Sequence, residues 1–229
     1  VDQFKAEEFD NGLPKGDRLV AIFDRQQELM EKYHVIEARS GLLQTPFIPV
    51  EINSQQGQAR LKDFAWRITE EVAEATKAYE DLHNKPEMFV ENYALLQEEM
   101  ADAMHFLVEF TILAGMKPHD VVYSDRFGKD MLDQTFAKIT SGHVVGASAF
   151  LRGVGQFVKE LGLACNYLKN RPWKQKLRDT DVLSFREQVK ITWKAFSFLV
   201  YHADISSQEL FELYFGKSDV NKDRQDSGY

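Results

Sequence analysis

ITEEVAEATKAYEDLHNKPEMFVENYALLQEEMADAMHF, residues 68–106, decides how this chain folds. It joins two longer runs, ARLKDFAWRITEEVAEATKAYEDL (59–82) and VENYALLQEEMADAMHFLVEFTILAGM (90–116). On the second run Met100, Ala103, Leu107, Phe110 and Ala114 recur three and four residues apart, the spacing of one helix face. Proline within HNKPE stops the first helix, and Gly115 with Pro118 ends the second. The connection between them is short enough to pack the pair antiparallel.

The same reading extends outward. GDRLVAIFDRQQELMEKYHVIEA (16–38) places Leu19, Ile22, Phe23, Leu29 and Met30 roughly at helical spacing. SGLLQTPFIPVEINSQQ (40–56), with two prolines and β-branched residues, reads as an extended connection or a short hairpin. Further helices are expected over 119–138, 146–169, 182–201 and 206–216, with no run of alternating strands, no low-complexity segment and no linker. The expected fold is a single all-α helical bundle over residues 1–229. An internal echo suggests a degenerate repeat of a helix pair. EEVAEATKAY with HFLVEF is answered by KELGLACNYL with SFLVYH, and both halves reach an aromatic–Gly–Lys, RFGK and YFGK. That alignment sets Glu160 opposite Glu71, and Leu163, Ile191 and Lys194 opposite Glu74, Glu99 and Asp102, so the second half has lost its acidic centre.

Composition removes several classes of function. Hydrophobic residues at 44% sustain a core, and 28% charged residues mark an ordinary soluble chain. No apolar run approaches the roughly 18 residues that cross a bilayer. The start, VDQFKAEEFDNGLPKGDRL, has no signal-peptide design, so a cytoplasmic protein is expected. Cys165 is the single cysteine, which excludes an internal disulfide framework and a cysteine-rich zinc site. A net charge of −8 repels a nucleic-acid polymer, whereas a small anionic substrate is admissible where metal ions neutralise it.

The chemistry lies in the acids. Glu71 and Glu74 are one helical turn apart on the first helix, with Glu70 beside them; Glu99 and Asp102 repeat the spacing on the second, with Glu98 adjoining. If the pairs meet, four carboxylates repel at low dielectric unless divalent cations join them, and hard oxygen donors suit Mg²⁺ or Mn²⁺. The competing reading is a solvated acidic face. A di-iron bundle is disfavoured: Asp102 and His105 form one carboxylate–histidine pair, but Glu71 and Glu74 have no histidine partner. His105 reads as a packed residue rather than a ligand.

These residues resemble a known signature. EE-x-x-E followed by E-x-x-D is similar to the metal motif of the all-α nucleoside triphosphate pyrophosphatases, which include MazG-type enzymes and dimeric dUTPases. Glu99 to Phe106, E-x-x-D-x-x-H-F, looks more like the dimeric dUTPases and the T-even phage dCTPase-dUTPases. The ending sharpens the likeness: Lys217, Asn221, Arg224, Gln225, Gly228 and Tyr229 form K-x(3)-N-x(2)-R-Q-x(2)-G-Y, and DRQDSGY looks especially phage-like. FDRQQEL (23–29) resembles the first motif of the same groups. Relative to the short phage form, residues 119–204 are an insertion.

The resemblance implies Glu71, Glu74, Glu99 and Asp102 as ligands for two or three Mg²⁺ ions, Mn²⁺ being the alternative, with Glu70 a weaker candidate. It implies Lys217 and Arg224 at phosphate oxygens, Gln26 at the pyrimidine, and Asn221 and Tyr229 at base or sugar, the closing segment folding over the nucleotide. Catalysis falls to Glu71 or Glu74 as the group that orients or deprotonates water. The implied reaction is metal-dependent hydrolysis of dUTP, dCTP or both to the monophosphate and pyrophosphate, by a homodimer. A broad MazG-like pyrophosphatase is the alternative within the superfamily, and a non-catalytic helical scaffold the alternative outside it. Two departures stand out. Met30 occupies the place, four residues after Gln26, where cellular dimeric dUTPases carry an asparagine. The insertion contains NRPWKQK, whose Arg171, Trp173 and Lys174 read either as an extra base or phosphate contact or as a solvated basic loop.

Overall fold

Ser54 begins the hairpin that carries the acids. The computed structural model describes residues 13, 15–40, 47–122, 130–136 and 147–226. Helix α1 spans Arg18–Ser40 and α2 spans Gln55–Asn84. The Ser54 hydroxyl caps α2 by accepting from the Gly57 amide at 2.9 Å. A side chain at Gly57 would put its Cβ 2.6 Å from the Glu51 carbonyl oxygen, so only glycine fits this entry. The thirty residues of α2 run about 45 Å. They end at Asn84, Lys85 follows as the cap, and a single 3-10 turn, Pro86–Met88, reverses the chain into α3, Phe89–Leu113. Gly115 closes α3 with φ at 71°, a conformation that costs glycine little.

Every side chain from Ala103 to Leu113 except Phe106 is buried, so α3 is the central helix, covered by α2, α1 and α7. After α3 come α4 (Met131–Phe136), α5 (Ala147–Tyr167) and α6 (Val182–His202); α7 spans Ser207–Asp226. The fold is all-α: the described residues form seven α-helices and no strand. No helix among them is long and apolar enough to cross a membrane. Trp193 on α6, fully buried, ties that helix to α3 by donating its Nε1–H to Thr111 Oγ1 at 2.9 Å.

Helices α5 and α6 form a second hairpin. Gly153 meets Phe198, Phe157 meets Phe196, and Glu160 meets Gln188, an antiparallel order. The offsets that pair Glu71 with Glu160 and Asp102 with Lys194 also pair Phe64 with Gly153 and Phe106 with Phe198. The Phe64 and Phe106 rings lie 6.0 Å apart, and a Cβ on Gly153 would lie 3.2 Å from the Phe198 ring. One contact thus recurs at the aligned position of each hairpin.

Two expected elements differ. The helix over 119–138 is not continuous: Pro118–Val121 is a 3-10 turn, Val122 is extended, and α4 starts only at Met131. Asp17 and Asp130 fix that restart by capping α1 and α4 and accepting the Met131 and Arg18 amides from each other's helix. The last helix does not stop at Gly216. It continues to Asp226 because Tyr214, Phe215 and Ser218 are buried on one face and hold the turns on either side of the glycine.

Candidate active site

Crossing of α2 and α3 brings Glu71, Glu99 and Asp102 together, one carboxylate oxygen from each lying within 4.8 Å of the others. They sit at the edge of the buried stripe, because Val72, Ala75, Met100 and Ala103 beside them are core residues. Like charges in a half-buried place resist ionisation. Burial first, then Asp102 and Glu99, push the Glu71 carboxyl up to about 8. Burial and Glu74 raise Glu99. Burial raises Asp102 as well, against the pull of Lys217.

Glu74 is exposed and lies outside the three-carboxylate group, one turn along α2, although its charge acts on Glu71 and Glu99. Glu70 is turned away, accepting from Trp66 Nε1 at 2.7 Å. Three convergent carboxylates are a hard oxygen donor set that fits Mg²⁺ or Mn²⁺.

The closing motif reaches this cluster as a helix face. Lys217, Asn221 and Arg224 are spaced by four and three residues, so α7 presents them together. Lys217 Nζ lies 2.8 Å from Asp102 Oδ2 and also pairs with Glu98. Arg224 is close enough to lower the Asp102 pKa. Gly228 and Tyr229 lie outside the described residues.

A cavity of about 280 Å³ joins these parts, lined by Glu71, Asp102, Lys217, Asn221 and Arg224 at one side and Gln26 at another. Phe64 and Phe106 supply aromatic wall, with Arg60 and Arg67 guanidinium carbons 4.7 and 5.3 Å from the Phe64 ring centre. A wider groove of about 550 Å³ runs along α3 and α7 past Glu98 and Lys217, but the three-carboxylate group does not line it. Arg171, Trp173 and Lys174 do not line the acid-bearing cavity; their loop is pinned to the start of α2, where Gln55 donates to the Arg171 and Lys174 carbonyls.

On the cavity lining, Gln26 is 3% exposed and its amide has three side-chain neighbours. It lies 2.9 Å from Glu109 Oε2, 2.7 Å from Tyr214 Oη and 3.0 Å from His105 Nδ1. His105 Nε2 lies 3.1 Å from the Tyr214 carbonyl, and its ring stacks on the tyrosine at 3.8 Å between centres. Burial pushes the Glu109 carboxyl up to about 7 and the His105 imidazole down to about 3. Met30 is buried in the core and lines a crevice with Glu109. Sequence reasoning named Gln26 but not Glu109, Arg60 and Arg67, which line the same cavity, nor Tyr214, which contacts Gln26. A lone acid inside HFLVEF was the available signal for Glu109, whereas the two arginines look like any exposed helix face.

The dUTPase family model matches residues 68–229, well over half of the chain. The match takes in all four acids and the whole closing motif, and leaves Gln26 outside it. No curated protein and no solved structure matches the chain.

Proposed function

Because the chain belongs to the dUTPase family, a family of nucleotide hydrolases, we propose that it hydrolyses dUTP, dCTP or both to the monophosphate and pyrophosphate, with Mg²⁺ as cofactor. The observation that carries the reading is the meeting of acids from α2 and α3, cations from α7 and the α1 amide around one cavity. Divalent ions, two or three in number, would be held by Glu71, Glu99 and Asp102 with Glu74 at the rim, and supply charge neutralisation at the triphosphate and acidification of water.

The chain's own groups do the rest. Lys217 and Arg224 take phosphate oxygens, Lys as a point charge and Arg by its planar fork, and neutralise charge as the phosphoanhydride bond breaks. Lys217 already pairs with Asp102, so substrate phosphate exchanges one anionic partner for another. Glu71 or Glu74 orients the attacking water and accepts its proton. Gln26 meets the base, and Asn221 and Tyr229 the base or sugar. A homodimer is part of the same proposal; exposed Trp66 and Leu163 beside the α2–α5 groove offer an apolar face for it, and sedimentation velocity measures it.

The test is a panel of the deoxynucleoside triphosphates with Mg²⁺, products read by phosphorus NMR. Pyrophosphate from dUTP or dCTP alone is expected. Turnover of purines would mark the broad pyrophosphatase, and folded protein inert with every nucleotide and metal would mark the scaffold.

A further inference from the structure

Rotating the Gln26 amide by 180° exchanges nitrogen and oxygen with no change in its surroundings, so the hydrogen-bond inventory decides which way it faces. His105 provides the first constraint. Its Nε2 faces the Tyr214 carbonyl, which only accepts, so Nε2 carries the hydrogen. A neutral ring then has a bare lone pair at Nδ1, 3.0 Å from the Gln26 amide. With the oxygen facing Nδ1, two lone pairs oppose each other unless the ring is an imidazolium. Burial and the nearby Lys217 both disfavour that cation. With the nitrogen facing Nδ1, the contact is an ordinary N–H···N bond.

Glu109 provides the second constraint. Once the Gln26 nitrogen faces His105 and Tyr214, its oxygen faces Glu109 Oε2, so the carboxyl must donate. The groups around Glu109 permit this. Arg60 of α2, the cation that most favours a negative Glu109, is bridged to Glu37 of α1 at 3.0 Å, and Arg67 of α2 acts more weakly. Glu37 itself opposes the negative form, and α1 adds Tyr33 and His34 to the adjoining crevice. From α7, Tyr214 is buried and its hydroxyl has the Ile22 carbonyl at 3.4 Å as an acceptor. From α3, His105 is neutral. Every donor of the network then has an acceptor, and the raised pKa of Glu109 agrees.

We propose that protonated Glu109 and neutral His105 are positioning residues that hold the Gln26 amide with both hydrogens used and one oxygen lone pair unused. The floor of the base pocket therefore accepts a hydrogen bond and reads a pyrimidine through an N–H on its pairing edge: N3–H of uracil or the 4-amino group of cytosine. The opposite facing would leave a spare N–H and read a ring acceptor instead. This rests on the proposed contact between Gln26 and the base. One acceptor serves both pyrimidines, which accords with Met30 standing where a second amide is usual.

The probe is the triphosphate of 2-pyrimidinone deoxyriboside, which is smaller than either substrate and has a bare N3 with no N–H at positions 3 or 4. An acceptor floor raises its KM roughly 10- to 100-fold over dUTP and dCTP, through one unmet buried acceptor, with kcat less affected. A donor floor would accept it as readily as dCTP, overturning the proposal. Histidine ring nitrogen NMR of the free protein at neutral pH should show His105 as the Nε2–H tautomer, and an imidazolium pattern would overturn it independently of activity. Glu109→Gln, which still donates to the Gln26 oxygen, should keep wild-type selectivity against the probe, whereas loss of selectivity in folded variant would count against the assigned facing. Gln26→Ala separates the premise: if it leaves the probe-to-dUTP ratio unchanged, Gln26 does not touch the base and the underlying reading fails instead.

Discussion

Replacing Glu71 by glutamine should make the metal-free protein more stable while abolishing its turnover. The Glu71 carboxyl is held up to about 8 against an ordinary 4.5. A carboxyl whose folded pKa is raised favours folding below the unfolded value and loses that contribution as pH rises towards the folded one. At pH 7 the full cost would be about 3 kcal/mol, at about 1.4 kcal/mol per unit. The side chain is only half buried, so solvent screening reduces this to roughly 1–2 kcal/mol. Glutamine carries no charge and avoids the cost. For a chain of this size the gain in Tm is roughly 2–8 °C, measured by calorimetry in EDTA at pH 7. Mg²⁺ then inverts the order: wild type gains about 2.7 kcal/mol at a hundredfold excess over Kd, and the variant gains little. A variant no more stable than wild type in EDTA, or shifted equally by Mg²⁺, refutes the reasoning.

On the acid side the sign reverses. His105 is held neutral to about pH 3, so stability is lost as pH falls from 6.5 towards 3, and His105→Gln should flatten that limb of the acid titration. Arg224→Ala should lower kcat/KM roughly 10- to 1,000-fold, by analogy with removal of one group that stabilises a developing anion, while Mn²⁺ affinity by electron paramagnetic resonance is retained. Glu160→Ala should leave turnover intact. It strands Gln188, which donates to Glu160 at 2.7 Å, so chemical denaturation should show a loss of roughly 1–3 kcal/mol.

Much of the site was readable in order along the chain. The i, i+3 acids and the apolar stripe beside them required only helical spacing and a short reversal at Pro86, and the structure supplies both. Rotation was harder to read. Glu71 faces α3 while Glu74 falls at the rim, because the α2 face opposite α3 is set by Ile68, Val72 and Ala75, which place Glu71 nearer the crossing. The expected end of the last helix at residue 216 coincides with Gly216, whose helix propensity is low. Burial of Tyr214, Phe215 and Ser218 outweighs it, and the intervals separating Lys217, Asn221 and Arg224 already carried the helical period. The Gln26 network joins α1, α3 and α7, residues up to 188 apart in sequence, so tertiary packing had to place it.

The central claim is that one site holds both the metal and the triphosphate, built by acids of α2 and α3 and cations of α7. A crystal structure with Mn²⁺ and the α,β-imido analogue of dUTP or dCTP tests it most directly, anomalous scattering locating the metal. The account predicts manganese bound by Glu71, Glu99 and Asp102, with phosphate oxygens drawn to Lys217 and Arg224. Manganese bound elsewhere, or a nucleotide seated away from those carboxylates, would contradict it.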